Sequence, residues 1–379
     1  MATDSAPRSP QWVLQICHGY DGPFLDCARQ YAALFKGTDV RVCTVYLTGE
    51  PSAEVAQQSE ADDVIFLSFT GRDLRGLKID AIRRIRHISQ QREYQLCIAH
   101  RFKPIYVSLL ATALPVVAVH HAFGVYQRPM RRWLINRFRS RLLLLGVSDA
   151  VRDEIRSHLK GWETTRIETL YNRIDVSALQ AVQLPRDAAR RALGLPEDRW
   201  IVGSVGRLHP DKDQHTLIRG FAAALPALPD GSLLAIMGQG RLEAQLKELA
   251  RQLGVADSVV FLGQVSEGRK YFRAFDVFAL SSDHEPFGMV LLEAMAAGLP
   301  VVSCATGGAV EVVSSIGWLF PLRDKEALAE RLLEVAALSE ENIAELRSTM
   351  VAQLTARFSD DAVRPHFLSL LPVLGWSPE

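Results

Sequence analysis

A chain of 379 residues, 48% of them hydrophobic, exceeds the length over which a single core usually keeps growing, so two domains are expected. Net charge is zero at neutral pH, no run of 18 apolar residues is present to cross a membrane, and no helix-turn-helix, RNP or zinc-finger pattern points to nucleic acid. The five cysteines (Cys17, Cys27, Cys43, Cys97, Cys304) form no C-x-x-C pair, which argues against a zinc or dithiol site and fits reduced core thiols in a cytoplasmic protein.

The first ten residues are polar and the apolar stretch 12–17 is too short for a secretory segment. Short apolar strands then alternate with amphipathic helices. Strands are expected over 11–17, 40–47, 63–67, 95–99, 116–120, 142–147 and 167–170, and again over 200–205, 232–237, 258–262, 276–281, 299–303 and 317–320. That alternation predicts an α/β chain with two Rossmann-like, doubly wound parallel sheets. Residues 171–199 lack a strand and carry Pro185, Gly194 and Pro196, which marks a boundary. The expected domains are 1–175 and 176–358, with a final helix in 359–379 returning to the first. Such sheets bind ligands at the carboxyl ends of their strands, so a cleft between the domains is expected.

The loop Gly19-Tyr-Asp-Gly22 follows the first strand, where small residues let backbone approach a ligand. Positive charge gathers in the same half: residues 1–175 hold 24 Lys+Arg against 18 Asp+Glu. Six arginines fall within Arg128–Arg141, where Arg128, Arg131 and Arg132 flank Trp133 in an amphipathic pattern suited to an anionic membrane or a phosphorylated acceptor. The strand at 116–120 ends in His120 and His121, placed to hydrogen-bond a sugar hydroxyl or handle a proton.

In the second half, Gly206-Arg207 follows a strand and Lys212 lies five residues on, so a fork and a point charge can converge on a diphosphate. Asp211-Lys-Asp213 spells a D-x-D, but a lysine between the carboxylates argues against a metal site, and no metal or cofactor is expected. Glu285 and Glu293 stand eight residues apart around Pro286 and the apolar run 289–292. Pro286 is expected to open a helix that Gly298 and Pro300 close, with both carboxylates pointing broadly the same way. A carboxylate on so apolar a helix needs a partner, either a side chain or the hydroxyls of a ligand. The backbone N–H groups of Phe287, Gly288 and Met289 would seat an anion. An anion plus hydroxyls suggests a sugar nucleotide.

Together these segments resemble the retaining glycosyltransferases of family 4, which have the GT-B fold. The most specific element is Glu285–Glu293 within Glu-Pro-Phe-Gly-Met-Val-Leu-Leu-Glu-Ala-Met-Ala-Ala-Gly-Leu-Pro; Thr306-Gly307-Gly308 with Glu311 is similar to the glycine turn that follows it. Tyr171-Asn172-Arg173-Ile174-Asp175 resembles the family's N-G-I-D linker, with Arg173 in place of glycine and a local backbone difference expected. The resemblance implies that Arg207 and Lys212 hold the donor diphosphate, Glu293 the ribose, and Glu285 the transferred sugar. It places Phe287, Gly288 and Met289 beside the phosphates and sugar, and His120, or His121 one step on, facing the donor. Gly19 would belong to the amino-terminal glycine turn, although His18 and Tyr20 depart from its usual double glycine. The implied partners are a nucleotide-sugar donor, UDP-linked for preference, and a glycan or glycolipid acceptor such as a lipopolysaccharide core intermediate at the inner face of the membrane. Two other readings remain open at this level: a sugar-nucleotide-binding protein without transfer, and a UDP-GlcNAc epimerase of the same architecture.

Overall fold

In the computed structural model, which describes residues 10–313 and 316–378, all thirteen expected strands are present within two residues of their sequence limits. The described chain divides into two units, one of residues 10–173 with 360–378 and one of 174–313 with 316–359.

The first unit holds a seven-stranded sheet: β1 (Gln11–Cys17), β2 (Val40–Tyr46), β3 (Asp63–Phe66), β4 (Tyr94–His100), β5 (Val116–His120), β6 (Leu142–Gly146) and β7 (Ile167–Thr169). The spatial order is β3-β2-β1-β4-β5-β6-β7, and every pairing is parallel. β5 and β6 are buried along their whole length because helices cover both faces, and their sequences accordingly read as continuous apolar runs, Val-Val-Ala-Val and Leu-Leu-Leu-Leu. Order reverses between β1 and β4, so the carboxyl ends of those strands and of β5 open on one crevice. The helix Asp360–Leu370 packs within this unit: Phe367 is fully buried and meets Tyr31 and Phe35 edge-on at 6.1 and 5.8 Å.

Arg173 locks that helix in place. Its guanidinium is 1% exposed, donates from Nε to Asp360 Oδ1 at 2.9 Å and from Nη2 to the Gln30 carbonyl, and lies over the Tyr31 ring. Arg173 is not among the residues with positive φ, so the expected backbone difference is corrected to a side-chain one: the arginine fills a buried polar niche that a glycine would leave empty.

The second unit holds β8 (Ile201–Val205), β9 (Leu233–Met237), β10 (Val259–Gly263), β11 (Val277–Leu280), β12 (Val301–Cys304) and β13 (Trp318–Phe320), in the order β10-β9-β8-β11-β12-β13, again all parallel. Its core joins Val202, Leu234 and Ile236 of the sheet to Leu217 and Phe221 of the helix Gln214–Ala224 and Leu328 and Leu332 of the helix Lys325–Ala336. Here the reversal falls between β8 and β11. The turns leaving those two strands carry the residues singled out by sequence.

Candidate functional site

β8 ends in Val205, and the chain turns through Gly206 and Arg207 into a short 3-10 segment, Pro210–Lys212. Asp213 then adopts a left-handed conformation and caps the helix Gln214–Ala224, its carboxylate accepting from Thr216 N and Oγ1. Backbone and side-chain bonds tie this turn to the one after β11: Asp283 N donates to Asp211 O at 3.0 Å, and Ser281 Oγ to Lys212 O at 2.8 Å. Both turns are therefore fixed before any side chain meets a ligand.

Across that junction Lys212 Nζ donates to Glu285 Oε2 at 2.8 Å, with only 19% and 10% of the two side chains exposed. Glu285 is held from behind, because its carbonyl accepts from Gly308 N at 2.9 Å while Thr306 Oγ1 donates to Ser282 O at 2.8 Å. The Thr306-Gly307-Gly308 turn thus buttresses the Glu285 loop. Glu293 is 9% exposed, and its Oε1 accepts from Arg269 Nε at 2.8 Å. Each acid on this otherwise apolar segment has a cationic partner, as the cost of burying a lone carboxylate requires.

The expectation that Pro286 opens the helix is corrected. The helix is Met289–Ala296, with Gly288 as its N-cap at φ 99°, ψ 49°. A residue in that left-handed conformation cannot continue a helix, and a Cβ on it would lie 2.8 Å from Leu291 Cδ1, so glycine sets the start here. Glu285 and Glu293 are therefore not two positions of one helix; the turn 285–288 fixes their separation. Among the described residues, the N–H groups of Gly288 and Met289 donate to no backbone carbonyl, leaving two donors at the helix start.

Arg207 stands apart from the buried pair. Its side chain is 72% exposed and its Nη2 lies 3.2 Å from Asp211 Oδ2. Asp211 also takes His209 Nδ1 at 2.5 Å. The two acids of the D-x-D are thus spent separately, Asp211 on Arg207 and His209 and Asp213 on its helix cap.

In the first unit, the carboxyl ends of β4 and β5 open on a pocket of about 380 Å³ lined by His18, Arg101, Lys103, His120, His121 and Arg131, among others. His120 is 1% exposed, and its Nε2 pairs with Tyr126 Oη at 2.7 Å. Burial, with His121 adding to it, pushes its pKa down to about 3. His121 stacks on His100, 3.1 Å from Nε2 to His100 Nδ1, and burial lowers its pKa to about 4. Both imidazoles are neutral at pH 7, so they act as hydrogen-bonding groups rather than charges. Gly19 is required by packing, since a Cβ there would meet Thr48 Oγ1 at 2.5 Å.

The basic stretch is divided in its use. Arg132 Nη1 donates to the carbonyls of Tyr126 and Gln127, and Arg141 to those of Thr112 and Leu114, so these two hold loops together. Arg131 lines the pocket, Arg128 is exposed, and Met130 and Trp133 are 72% and 62% exposed on the helix Pro129–Arg137. Sequence reasoning missed Arg269, Arg101 and Lys103. Arg269 lies in the 3-10 segment Gly268–Ala274, which has no periodicity to mark it. Arg101 and Lys103 gain meaning only once β4 is seen beside β5.

Residues 24–178 match the family model described as glycosyltransferase family 4, and residues 185–352 the model described as glycosyl transferases group 1. Among curated proteins, the chain is 34% identical over 188 residues to the lipopolysaccharide core biosynthesis glycosyltransferase LpsE of Rhizobium meliloti, covering 48% of this chain and 52% of that protein. It is 33% identical over 201 residues to a D-inositol 3-phosphate glycosyltransferase of Corynebacterium urealyticum, covering 50% and 47%. The chain spans about half the length of these relatives. Among solved structures, a glycosyltransferase from Rickettsia africae superimposes with a TM-score of 0.82 at 15% identity over 98% of this chain and 100% of that one. Anabaena Alr3699/HepE, solved in complex with UDP and glucose, gives 0.75 at 22% identity over 96% and 100%. At such identities the likeness is one of fold.

Proposed function

The chain belongs to the glycosyltransferases of the GT-B fold, and from that premise we propose that it moves a sugar from a nucleotide diphosphate sugar, UDP-linked for preference, to a hydroxyl of a cell-envelope glycan or glycolipid, with retention at the anomeric carbon. The observation that carries this reading is the Lys212–Glu285 pair at the β8/β11 reversal, a buried charge pair at the point of an open parallel sheet where ligands bind. A diphosphate arriving there gives Lys212 a second anionic partner, with exposed Arg207 free to turn toward it and the N–H groups of Gly288 and Met289 at the helix start. Glu285 then accepts from hydroxyls of the transferred sugar, and Glu293, oriented by Arg269, from the ribose.

In the transfer, the bond from the anomeric carbon to the diphosphate oxygen breaks and the acceptor oxygen bonds to the same face of that carbon. The acceptor proton passes to the departing phosphate oxygen. Lys212 and Arg207 stabilise the charge that develops on that phosphate, a preorganised contact of the kind worth about 3–4 kcal/mol of barrier.

The acceptor belongs to the first unit, whose excess of positive charge suits an anionic partner. Arg128 with exposed Met130 and Trp133 forms a cationic and apolar face fitted to an anionic lipid surface. The contact proposed is a peripheral one on that face; among the described residues no helix is long and apolar enough to cross a membrane. The relation to LpsE favours a lipopolysaccharide core acceptor. Release of free sugar from a UDP-sugar without acceptor tests the reading: an epimerised donor would indicate the epimerase, and binding without turnover a non-catalytic binding protein.

A further inference from the structure

Residues 94–148 contain eight Lys and Arg and no Asp or Glu, and the fold brings three of those cations to the pocket at the ends of β4 and β5. Arg101 directly follows β4, Lys103 sits in the first turn of the helix Phe102–Ala111, and Arg131 comes from the helix Pro129–Arg137. Among the described residues none of the three is paired with a carboxylate. Glu154 and Asp21 are both outside the lining; Glu154 accepts from Gly124 N and pairs with His158 Nε2 through Oε1, while its buried Oε2 makes no hydrogen bond to any of the three cations.

The three cations are positioned without being neutralised. Arg101 Cζ lies 4.6 Å from the centroid of the Phe24 ring and Arg131 Cζ 4.5 Å from that of Phe102. Stacking of this kind orients a guanidinium while leaving its N–H groups for another partner. Arg131 gives one bond to the Val125 carbonyl, whereas Arg132 and Arg141 each give theirs to two or more carbonyls of neighbouring loops.

Local stability is worse for their presence. Arg101 occupies φ 71°, ψ 162°, a region nearly reserved for glycine, at the N-cap of the helix Phe102–Ala111. The first turn of that helix has no acidic residue and no side-chain cap, and Arg101 and Lys103 add positive charge where the helix dipole is already positive. Lys78 adds to the repulsion, for Lys103 and Arg131 both act on it electrostatically. Beside these, His120 is 1% exposed, lines the pocket and has an Nδ1 without a hydrogen-bond partner. Unpaired cations, an uncapped helix start and an orphaned buried imidazole nitrogen give this cavity a lining whose chemistry suits an anion.

We propose that this pocket binds a phosphoryl group carried by the acceptor, with Arg101, Lys103 and Arg131 as its counter-charges and His120 as a hydrogen-bonding partner. A dianionic group with three terminal oxygens matches two forks and a point charge better than a carboxylate, which carries one charge and two oxygens. The volume of about 380 Å³ leaves room for the sugar or polyol ring that bears it. The role of acceptor rests on the transfer reaction proposed above; the binding of phosphate does not.

The test is calorimetric titration with glucose 6-phosphate, glucuronate and glucose, each with UDP present, so that the second unit's cations are engaged. A parallel arm measures sedimentation with vesicles of phosphatidylcholine alone or with phosphatidic acid. Wild-type protein is compared with Lys103→Gln, with Lys103→Gln/Arg131→Gln, and with Arg137→Gln as a control outside the pocket. The expected result is binding of glucose 6-phosphate but not glucose, weakened tenfold or more by the double substitution and about threefold or more by Lys103→Gln, and unchanged by Arg137→Gln. The same loss confined to phosphatidic acid vesicles would assign the phosphoryl group to a lipid headgroup instead of a soluble sugar. Equal binding of glucuronate, equal binding by wild type and the double variant, or binding of neither phosphate form overturns the proposal. The affinity for UDP itself, measured on the same proteins, reports on the second unit: its absence would sink the transferase reading while leaving the phosphate result to stand by itself.

Discussion

Lys212 Nζ lies 2.8 Å from Glu285 Oε2, so one ion pair joins the turn after β8 to the turn after β11 at the place where strand order reverses. Removing either partner leaves the other's charge largely buried, a structural cost, and on the proposed reading it also removes a contact to the donor. Lys212→Ala and Glu285→Ala are each expected to lower turnover about 100- to 1000-fold and to lose about 1–3 kcal/mol of stability. The double variant should recover most of the stability, because no lone charge remains, and none of the rate. Urea denaturation beside steady-state kinetics separates the two; a double variant that regained activity would make the pair structural alone.

Glu293 holds Arg269 through Oε1, and on the proposed reading it also receives the ribose hydroxyls. Glu293→Gln keeps the shape and loses the charge. It should weaken UDP binding about 10- to 100-fold, the range for a hydrogen bond to a charged group, with a smaller effect from Arg269→Ala. Equal affinities for UDP in wild type and Glu293→Gln would remove the ribose assignment.

The neutral histidines of the first unit make its stability depend on pH. His120 titrates near 6.5 when unfolded and at about 3 when folded, so between those values the unfolded chain binds the extra proton. Stability contributed by the neutral form is complete above pH 6.5 and is lost as pH falls toward 3, at up to about 1.4 kcal/mol per pH unit for one fully buried histidine. His100, also shifted down by burial and by His121 and Arg173, acts in the same sense. Urea midpoints measured from pH 7 to 4 should fall, and His120→Gln should flatten the slope. A slope identical in wild type and variant would contradict the burial of this imidazole.

Arg173→Gly, which restores the residue expected at this linker position, removes a buried guanidinium bonded to Gln30 and Asp360. The loss should be about 2–4 kcal/mol and should fall on the first unit. Hydrogen exchange in 360–370 should accelerate, since the arginine anchors that helix. Unchanged protection there would show that Phe367 and its aromatic neighbours suffice.

Much of the fold was legible because central parallel strands are buried on both faces, so β6 and β11 appear as unbroken apolar runs between turn residues, and β5 and β12 as runs with one polar residue each, His120 and Ser303. The demand of Glu285 and Glu293 for partners was legible for the same reason, as acids in an apolar setting. The partners were not equally so. Lys212 could be singled out by its place after a strand, whereas Arg269 comes from a 3-10 segment without periodic signal. Pro286 is a good first residue and points to a helix start at that position, while the left-handed conformation of Gly288, which decides the matter, is a property of the turn. In the sequence Arg173 in place of glycine signals only a change of backbone, whereas its effect comes from a long side chain reaching a helix almost two hundred residues away in sequence, a contact local patterns do not carry.

The central claim is that the second unit binds a nucleotide diphosphate sugar through Lys212, Glu285 and Glu293. The most direct measurement is calorimetric titration of wild type, Lys212→Ala and Glu293→Gln with UDP, GDP and ADP. The account predicts one nucleotide, UDP for preference, bound by the wild type and weakened at least tenfold in both variants, whose far-ultraviolet spectra stay native. Binding of none of the three by the wild type, or equal binding by all three proteins, would contradict it.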